Sequence, residues 1–547
     1  MIEIENGVRE LPKKLETCTV STTSKKSKKS KKKTATVESL PTYYENALSQ
    51  YPVSLRNSKA KGRHAVASEN LEEGTLLCKE YASAFVVRAE FLDQQCHVCL
   101  TDLSTKMMCA DCKKTFYCSQ TCMENDEETH KLACSAFSQV DTIGRATDVD
   151  SDLLRLITLL MIRRHFDKST KEAADSASDP TPYFCVEDLL SHKESANPAF
   201  IRVLTDASQR LLMELPESIQ LPVEEMVTLA CRINSNAHGL GDNQSRNTDV
   251  ALGLFPLGAM FFNHGCNPNT AFIGLANGQL AFRTIREVKK DEELVVSYID
   301  LYSDRDERRQ DLLTSKHFWC KCKRCTGPLE KSVDRFLQGV VCSKCESDVY
   351  IIPATMMDDL IKGHRALYTE STSFKCAACN DEKASKDIQA ILEESNKSYK
   401  LGMAAIRQER NYRRASDKLE LITKSATTKG GLHALNSFRL NAYIPLMNCM
   451  RYNSNLKGAI ETNKAILSLM GEYAKLGLPS NTAEISDYWQ NLGELCDKMA
   501  SDSKGRSSVL EKKWSKESRH AFDEALKIRI VVFGKDHPKT KHVEKLA

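Results

Sequence analysis

Between residues 96 and 134, sulfur and imidazole side chains recur at short intervals: Cys96-x2-Cys99, Cys109-x2-Cys112, Cys118-x3-Cys122 and His130-x3-Cys134. Thiolate and imidazole are the donors that tetrahedral zinc takes, and eight of them fill two closed sites with no open catalytic position. A C-x2-C turn presents two thiolates to one ion, and ligands four residues apart share one face of a helix. Spacing alone leaves the pairing of these four doublets open. Cys320, Cys322 and Cys325 are one ligand short of a further tetrahedral set. Cys342-x2-Cys345 and Cys376-x2-Cys379 make a set of zinc-ribbon type, although its thirty-residue connection is longer than usual. The chain has 21 cysteines. Disulfides are disfavoured in the cytosol and nucleus, so clusters this dense read as metal ligands. Cys18, Cys78, Cys185, Cys231, Cys449 and Cys496 stand alone and read as a tail thiol and small core residues.

These ligands sit in a chain of 547 residues, too long for one core. Residues 1–45 read as a disordered tail carrying Lys25, Lys26, Lys28, Lys29, Lys31, Lys32 and Lys33, a candidate import signal or polyanion-binding arm. The formal net charge is +4, and without those seven lysines it is −3, so no overall basic balance favours nucleic acid. The longest apolar stretches, such as 251–262, are short and hold Pro256, far from the roughly 20 residues a membrane helix needs. The start lacks the features of a secretory signal, and the chain reads as soluble and intracellular. Strand character is expected over 60–88, with a turn at Gly74, and again over 251–302, ending in 293–298. A dense apolar helix is expected over 153–165 within a helical stretch, 151–240. From 381 onward the pattern is helical.

Four separated fragments then fit one family: Lys61-Gly62-Arg63-His64, Asn236-Ala237-His238, Phe262-Asn263-His264-Gly265-Cys266-Asn267-Pro268-Asn269, and Glu292-Glu293-Leu294-Val295-Val296-Ser297-Tyr298-Ile299-Asp300. The last two resemble the NHSCxPN and EELxxSYxD signatures of SET-domain methyltransferases. The 96–134 pattern resembles a MYND zinc finger. A MYND finger inserted near the start of a SET fold is similar to the SET-and-MYND-domain (SMYD) family. The resemblance implies an α+β chain. It has a SET N-terminal part (55–95), a MYND finger (96–134), a helical insert (135–240), a SET core (241–302), a post-SET zinc segment (303–328), a zinc ribbon (329–380) and a helical TPR-like domain (381–547).

The same resemblance implies an S-adenosylmethionine-dependent protein-lysine N-methyltransferase acting on histone or non-histone proteins. Tyr298 is then the catalytic residue of a lysine channel, a phenol being able to offer oxygen without a full charge. Lys61, Gly62, Arg63, Asn236, Asn263, His264 and Phe318 are implied cofactor contacts, Phe318 by packing on adenine. Asn269 and Pro268 read as turn residues. The implied zinc pairing is interleaved, Cys96, Cys99, Cys118 and Cys122 in one MYND site and Cys109, Cys112, His130 and Cys134 in the other. Cys266 supplies the fourth ligand to Cys320, Cys322 and Cys325. Four departures stand out: His64 for a glycine, Gly265 for serine, Asp291 for a glycine, and Lys316 where many members carry a second channel tyrosine. The expected partners are a protein substrate and proteins bound through the finger and C-terminal helices, in nucleus and cytoplasm, in a chromatin-regulating role. The alternative is a weak or inactive adaptor recruiting proteins for transcriptional regulation. A DNA-binding zinc protein is disfavoured, since no long recognition-helix spacing is present.

In the C-terminal part, Trp489-x2-Leu492-Gly493-x2-Cys496 and Ser518-x3-Phe522-x2-Ala525 resemble the two helices of a tetratricopeptide repeat, with a lengthened loop expected between them. The stretch Gly534-Lys-Asp-His-Pro538 resembles the end of the SMYD C-terminal domain.

Overall fold

The computed structural model describes residues 40–167, 180–241, 249–368, 372–425 and 427–547. The lysine run and Cys18 lie outside the described residues. The chain divides into two compact units: residues up to Asn263 with Thr270–Val295, and His264–Asn269 with Val296–Ala547.

Among the described residues the first unit holds four small antiparallel sheets, one of them the finger's pair Met107–Met108 and Phe116–Tyr117. The strand Val53–Ser58 pairs with Gly62–Ala67 in a hairpin, and Gly62 turns the chain at φ +67°. The strand Gln279–Thr284 lies between Thr270–Leu275 and Leu76–Tyr81, and Asp249–Leu254 lies between Ala84–Val87 and His238–Gly241. Gly74 makes its turn at φ +80°. The helix Ser151–Phe166 buries residues all around its circumference, including Leu153, Leu156, Leu160 and the ion pair of Asp152 with Arg155. It packs on the helices Gln120–Thr147 and Val223–Asn236, which explains its dense apolar sequence.

Three expectations need correction. The tail assignment to residue 45 runs into a helix, Thr42–Leu48, whose Tyr43 and Tyr44 are buried. Tyr44 donates to Asp188 Oδ2 at 2.6 Å, a partner too distant in sequence for composition to reveal. Cys118 and Cys122 do not share a helix face, because the helix begins after its N-cap Ser119, leaving Cys118 outside. The 293–298 strand contracts to Val295–Val296 with a bridge from Glu293 to Val66.

The second unit opens on the helix Arg305–Lys316, started by a capping box of Asp304 and Glu307 and ended by His317 at φ +60°. A run of helices from Ser385 to Glu544 follows. Helices Ala483–Ser503 and Ser508–Val532 are joined by only 504–507. The expected long loop is absent because the extra residues lengthen the helices, which adds backbone hydrogen bonds and packing. Gly493 permits this contact: a Cβ there would stand 2.5 Å from the Phe522 ring. No helix among the described residues is long and apolar enough to cross a membrane.

Candidate active site and zinc centres

Four sets of ligand atoms converge, each within 4.8 Å: Cys96, Cys99, Cys118 and Cys122; Cys109, Cys112, His130 and Cys134; Cys266, Cys320, Cys322 and Cys325; Cys342, Cys345, Cys376 and Cys379. Zinc–sulfur bonds of about 2.3 Å in a tetrahedron space the sulfurs roughly 3.8 Å apart. The observed Sγ separations match: 3.5 Å for Cys99–Cys118, 3.7 Å for Cys109–Cys134, 3.8 Å for Cys266–Cys320 and 3.6 Å for Cys345–Cys376. A disulfide needs about 2.05 Å, so these are metal-ligand spacings. His130 turns Nε2 to the second set, 3.6 Å from Cys112 Sγ, while Nδ1 faces Thr115 Oγ1 at 3.4 Å. That hydroxyl helps to hold the ring's orientation.

A buried ionic cluster supports the third set. Asp334 is fully buried and accepts from Arg305, Arg308 and Arg324, the last two at 2.8 Å. Arg308 Nη2 also reaches Cys325 Sγ at 3.7 Å, and Arg324 donates to the Cys266 carbonyl. Burial raises the Asp334 carboxyl, but Arg324 and Arg308 outweigh it and hold it down at about 2. Asp334→Asn should therefore cost on the order of 3–5 kcal/mol, because it strands buried guanidiniums. The depressed pKa means this contribution is complete above the unfolded value of about 4 and is lost as pH falls toward 2. Urea unfolding at neutral pH and at pH 3 checks both statements.

The residues expected to hold cofactor fall in two groups, one in each unit. In the first unit Asn263 Nδ2 donates to the Lys61 carbonyl at 3.2 Å and the Arg63 carbonyl at 3.1 Å, tying the motif to the Gly62 turn. The side chains of Lys61 and Arg63 are engaged by Glu293 Oε2 and the Asp188 carbonyl, leaving their backbone to line the turn. Asn236 ends the helix Val223–Asn236 and spends its amide hydrogens on the carbonyls of Arg232 and Leu190. Glu80 receives the amides of Leu257 and Gly258, capping the short helix Pro256–Phe261 that leads to Asn263. Burial pushes the Glu80 carboxyl up to about 8, against those two donors.

In the second unit His264, Tyr298 and Phe318 gather beside the third cysteine set, with Ile299 and Leu312. The Tyr298 N–H donates to His264 Nδ1 at 3.1 Å, so Nε2 carries the ring hydrogen and faces Cys266 Sγ at 3.1 Å. Burial lowers the His264 pKa to about 4, and Arg308 and Arg324 act in the same direction, so the ring is neutral. The rings of Tyr298 and Phe318 lie 5.4 and 6.0 Å from that imidazole. The Gly265 N–H donates to Val296 O at 2.8 Å, a contact that involves no side chain at residue 265.

Asp291 stands at φ +66°, the left-handed region that favours glycine, and this accounts for the glycine expected there. Aspartate tolerates the conformation, and its carboxylate pairs with Arg56 at the surface. Asp291→Val should cost more than about 1 kcal/mol, whereas Asp291→Gly should be neutral or stabilising by up to about 1 kcal/mol. Urea unfolding midpoints of the two variants decide this.

Sequence reasoning missed Asp334, Arg305, Arg308 and Arg324. The i, i+3 arginines are visible on a helix, but nothing in sequence marks the lone aspartate as their partner. It noted Lys316 only as a departure. Its Nζ lies over the Tyr298 ring, 5.5 Å from the centroid.

The SET domain family model matches residues 62–299. A SET and MYND domain-containing protein of Dictyostelium discoideum is 25% identical over 338 residues, covering 53% of this chain and 65% of that one. The chain thus spans slightly less than two thirds of that relative's length. The N-lysine methyltransferase SMYD2 of Homo sapiens is 23% identical over 488 residues, covering 88% of this chain and 94% of that one. A solved structure, the SET domain of LSMT bound to lysine and AdoHcy, matches with TM-score 0.30 and 12% identity, covering 86% of this chain and 97% of that one.

With the SET match over the split motifs, the chain is a SET-domain protein. The eight finger ligands and the named relatives narrow this further. In these features it resembles proteins of the SET-and-MYND-domain family.

Proposed function

We propose that the chain is an S-adenosylmethionine-dependent protein-lysine N-methyltransferase. The observation that carries this is the grouping of His264, Tyr298 and Phe318 against the four-thiolate set of Cys266. The residues present suit the cofactor. Nothing lies within 4 Å of where a Cβ on Gly62 would stand, so its turn is open to close approach. Phe318 offers an aromatic face, and Asn263 retains a carbonyl oxygen beyond its two donated hydrogens. Bound S-adenosylmethionine supplies an electrophilic methyl group on a sulfonium.

The remaining work belongs to the protein. The acceptor lysine must be neutral, and apolar walls such as Ile299, Leu312 and Phe318 disfavour its charged form. Tyr298 accepts a hydrogen bond from the acceptor amine and aims its lone pair along the line of displacement. The neutral His264 holds the Tyr298 backbone, and the Cys266 sulfur holds His264. The substrate is a protein lysine, histone or non-histone. The finger and the C-terminal helices recruit protein partners, and the chain works in nucleus and cytoplasm. Titration calorimetry with S-adenosylhomocysteine tests the cofactor assignment. One site per chain is expected, and no measurable binding would overturn the reading in favour of an adaptor.

A further inference from the structure

Lys316 is the last residue of the helix Arg305–Lys316, and its position is fixed from both ends. The capping box of Asp304 and Glu307 starts the helix, Arg305 and Arg308 anchor it to Asp334, and His317 closes it in the left-handed region. The Lys316 side chain is half-buried and places Nζ over the ring of Tyr298, 5.5 Å from the centroid. Phe318, two residues on, packs in the same cluster as Tyr298. An amine held beside the tyrosine that aligns acceptor amines experiences what an incoming lysine would. Its attachment replaces a bimolecular encounter with an intramolecular one, an advantage that can reach many orders of magnitude in effective concentration.

We propose that Lys316 is itself a methyl acceptor, modified by the chain that carries it. This rests on the methyltransferase reading above. The Nζ lone pair forms a bond to the methyl carbon as the carbon–sulfur bond breaks. The bonding electrons stay on sulfur and S-adenosylhomocysteine departs; the proton released is the one the Lys316 ammonium gives to solvent before its lone pair attacks, so the product remains an ammonium. The methylated amine keeps its charge at neutral pH and adds bulk against the Tyr298 ring.

The test incubates the full-length chain with methyl-labelled S-adenosylmethionine, followed by proteolysis and mass spectrometry. The expected result is methyl on Lys316, with a rate per chain unchanged over a tenfold range of protein concentration. Lys316→Arg should lower self-labelling at least about tenfold. Protein substrates methylated with Lys316 unmodified would overturn the proposal and leave the enzyme assignment intact. A second arm needs no turnover or variant: brief acylation with acetic anhydride, with and without S-adenosylhomocysteine. Bound S-adenosylhomocysteine should cut Lys316 acylation about fivefold and leave Lys527, whose side chain is 69% exposed, unchanged. Equal Lys316 acylation with S-adenosylhomocysteine bound would overturn the proposal. Failure to bind S-adenosylhomocysteine at all would bring down the enzyme assignment and this proposal together.

Discussion

Cys266→Ser is expected to lower the zinc content from four ions per chain to three and to abolish methyl transfer. Cys266 is fully buried with its sulfur 3.5 Å from Cys325 and 3.8 Å from Cys320, so no solvent ligand replaces it without rearrangement. Structural zinc contributes on the order of 10 kcal/mol where it organises a small site, and losing one of four thiolates forfeits several of those. The damage does not stop at the metal. Cys266 is the partner of His264 Nε2, and His264 Nδ1 receives the Tyr298 N–H, so the loss reaches Tyr298 in two steps. Elemental analysis should show loss of a single ion, because the other three sets share no ligand with this one. Four zincs retained in the variant would mean that Cys266 is not a ligand.

Tyr298→Phe should lower kcat by about 10²-fold while zinc content and S-adenosylhomocysteine affinity stay within about twofold of wild type. The substitution removes one oxygen and keeps the ring that packs with Ile299, Phe318 and Leu312. A single well-placed hydrogen-bonding group at a reacting centre commonly contributes 10²–10³-fold. The backbone bond from Tyr298 N–H to His264 does not involve the phenol and survives. Transfer of labelled methyl under single-turnover conditions separates this effect from substrate binding. Undiminished transfer would remove Tyr298 from the mechanism.

Legibility in the sequence followed the range of the interactions. Cysteine doublets are local, and their spacing announces a metal before any fold is known. The interleaving of the MYND doublets came only through family resemblance, since each ion joins ligands from separated stretches, such as Cys96 and Cys122. The helix Ser151–Phe166 was legible because apolar residues crowd its central turns. The Tyr43–Tyr44 helix was not, because its stabilising partner Asp188 lies 144 residues away. Asp334 was invisible for the same reason: 26 and 29 residues separate it from Arg308 and Arg305, and a lone aspartate looks like surface. The repeat-like helices show the opposite error. Trp489 and Ser518 marked the helices, but a fixed repeat length placed a loop where the chain extends both helices to 503 and from 508. Lys316 stood out as a residue out of pattern, yet only the fold shows its ammonium against Tyr298.

Methyl transfer to protein lysines is the activity proposed for this chain. Mass spectrometry of a histone mixture and of cell-extract proteins, after incubation with methyl-labelled S-adenosylmethionine and the chain, measures that most directly. The expected result is label on substrate lysine Nζ with wild type and about a hundredfold less with Tyr298→Phe. Label on no protein lysine, from a chain with all four zincs and bound S-adenosylhomocysteine, would contradict the account.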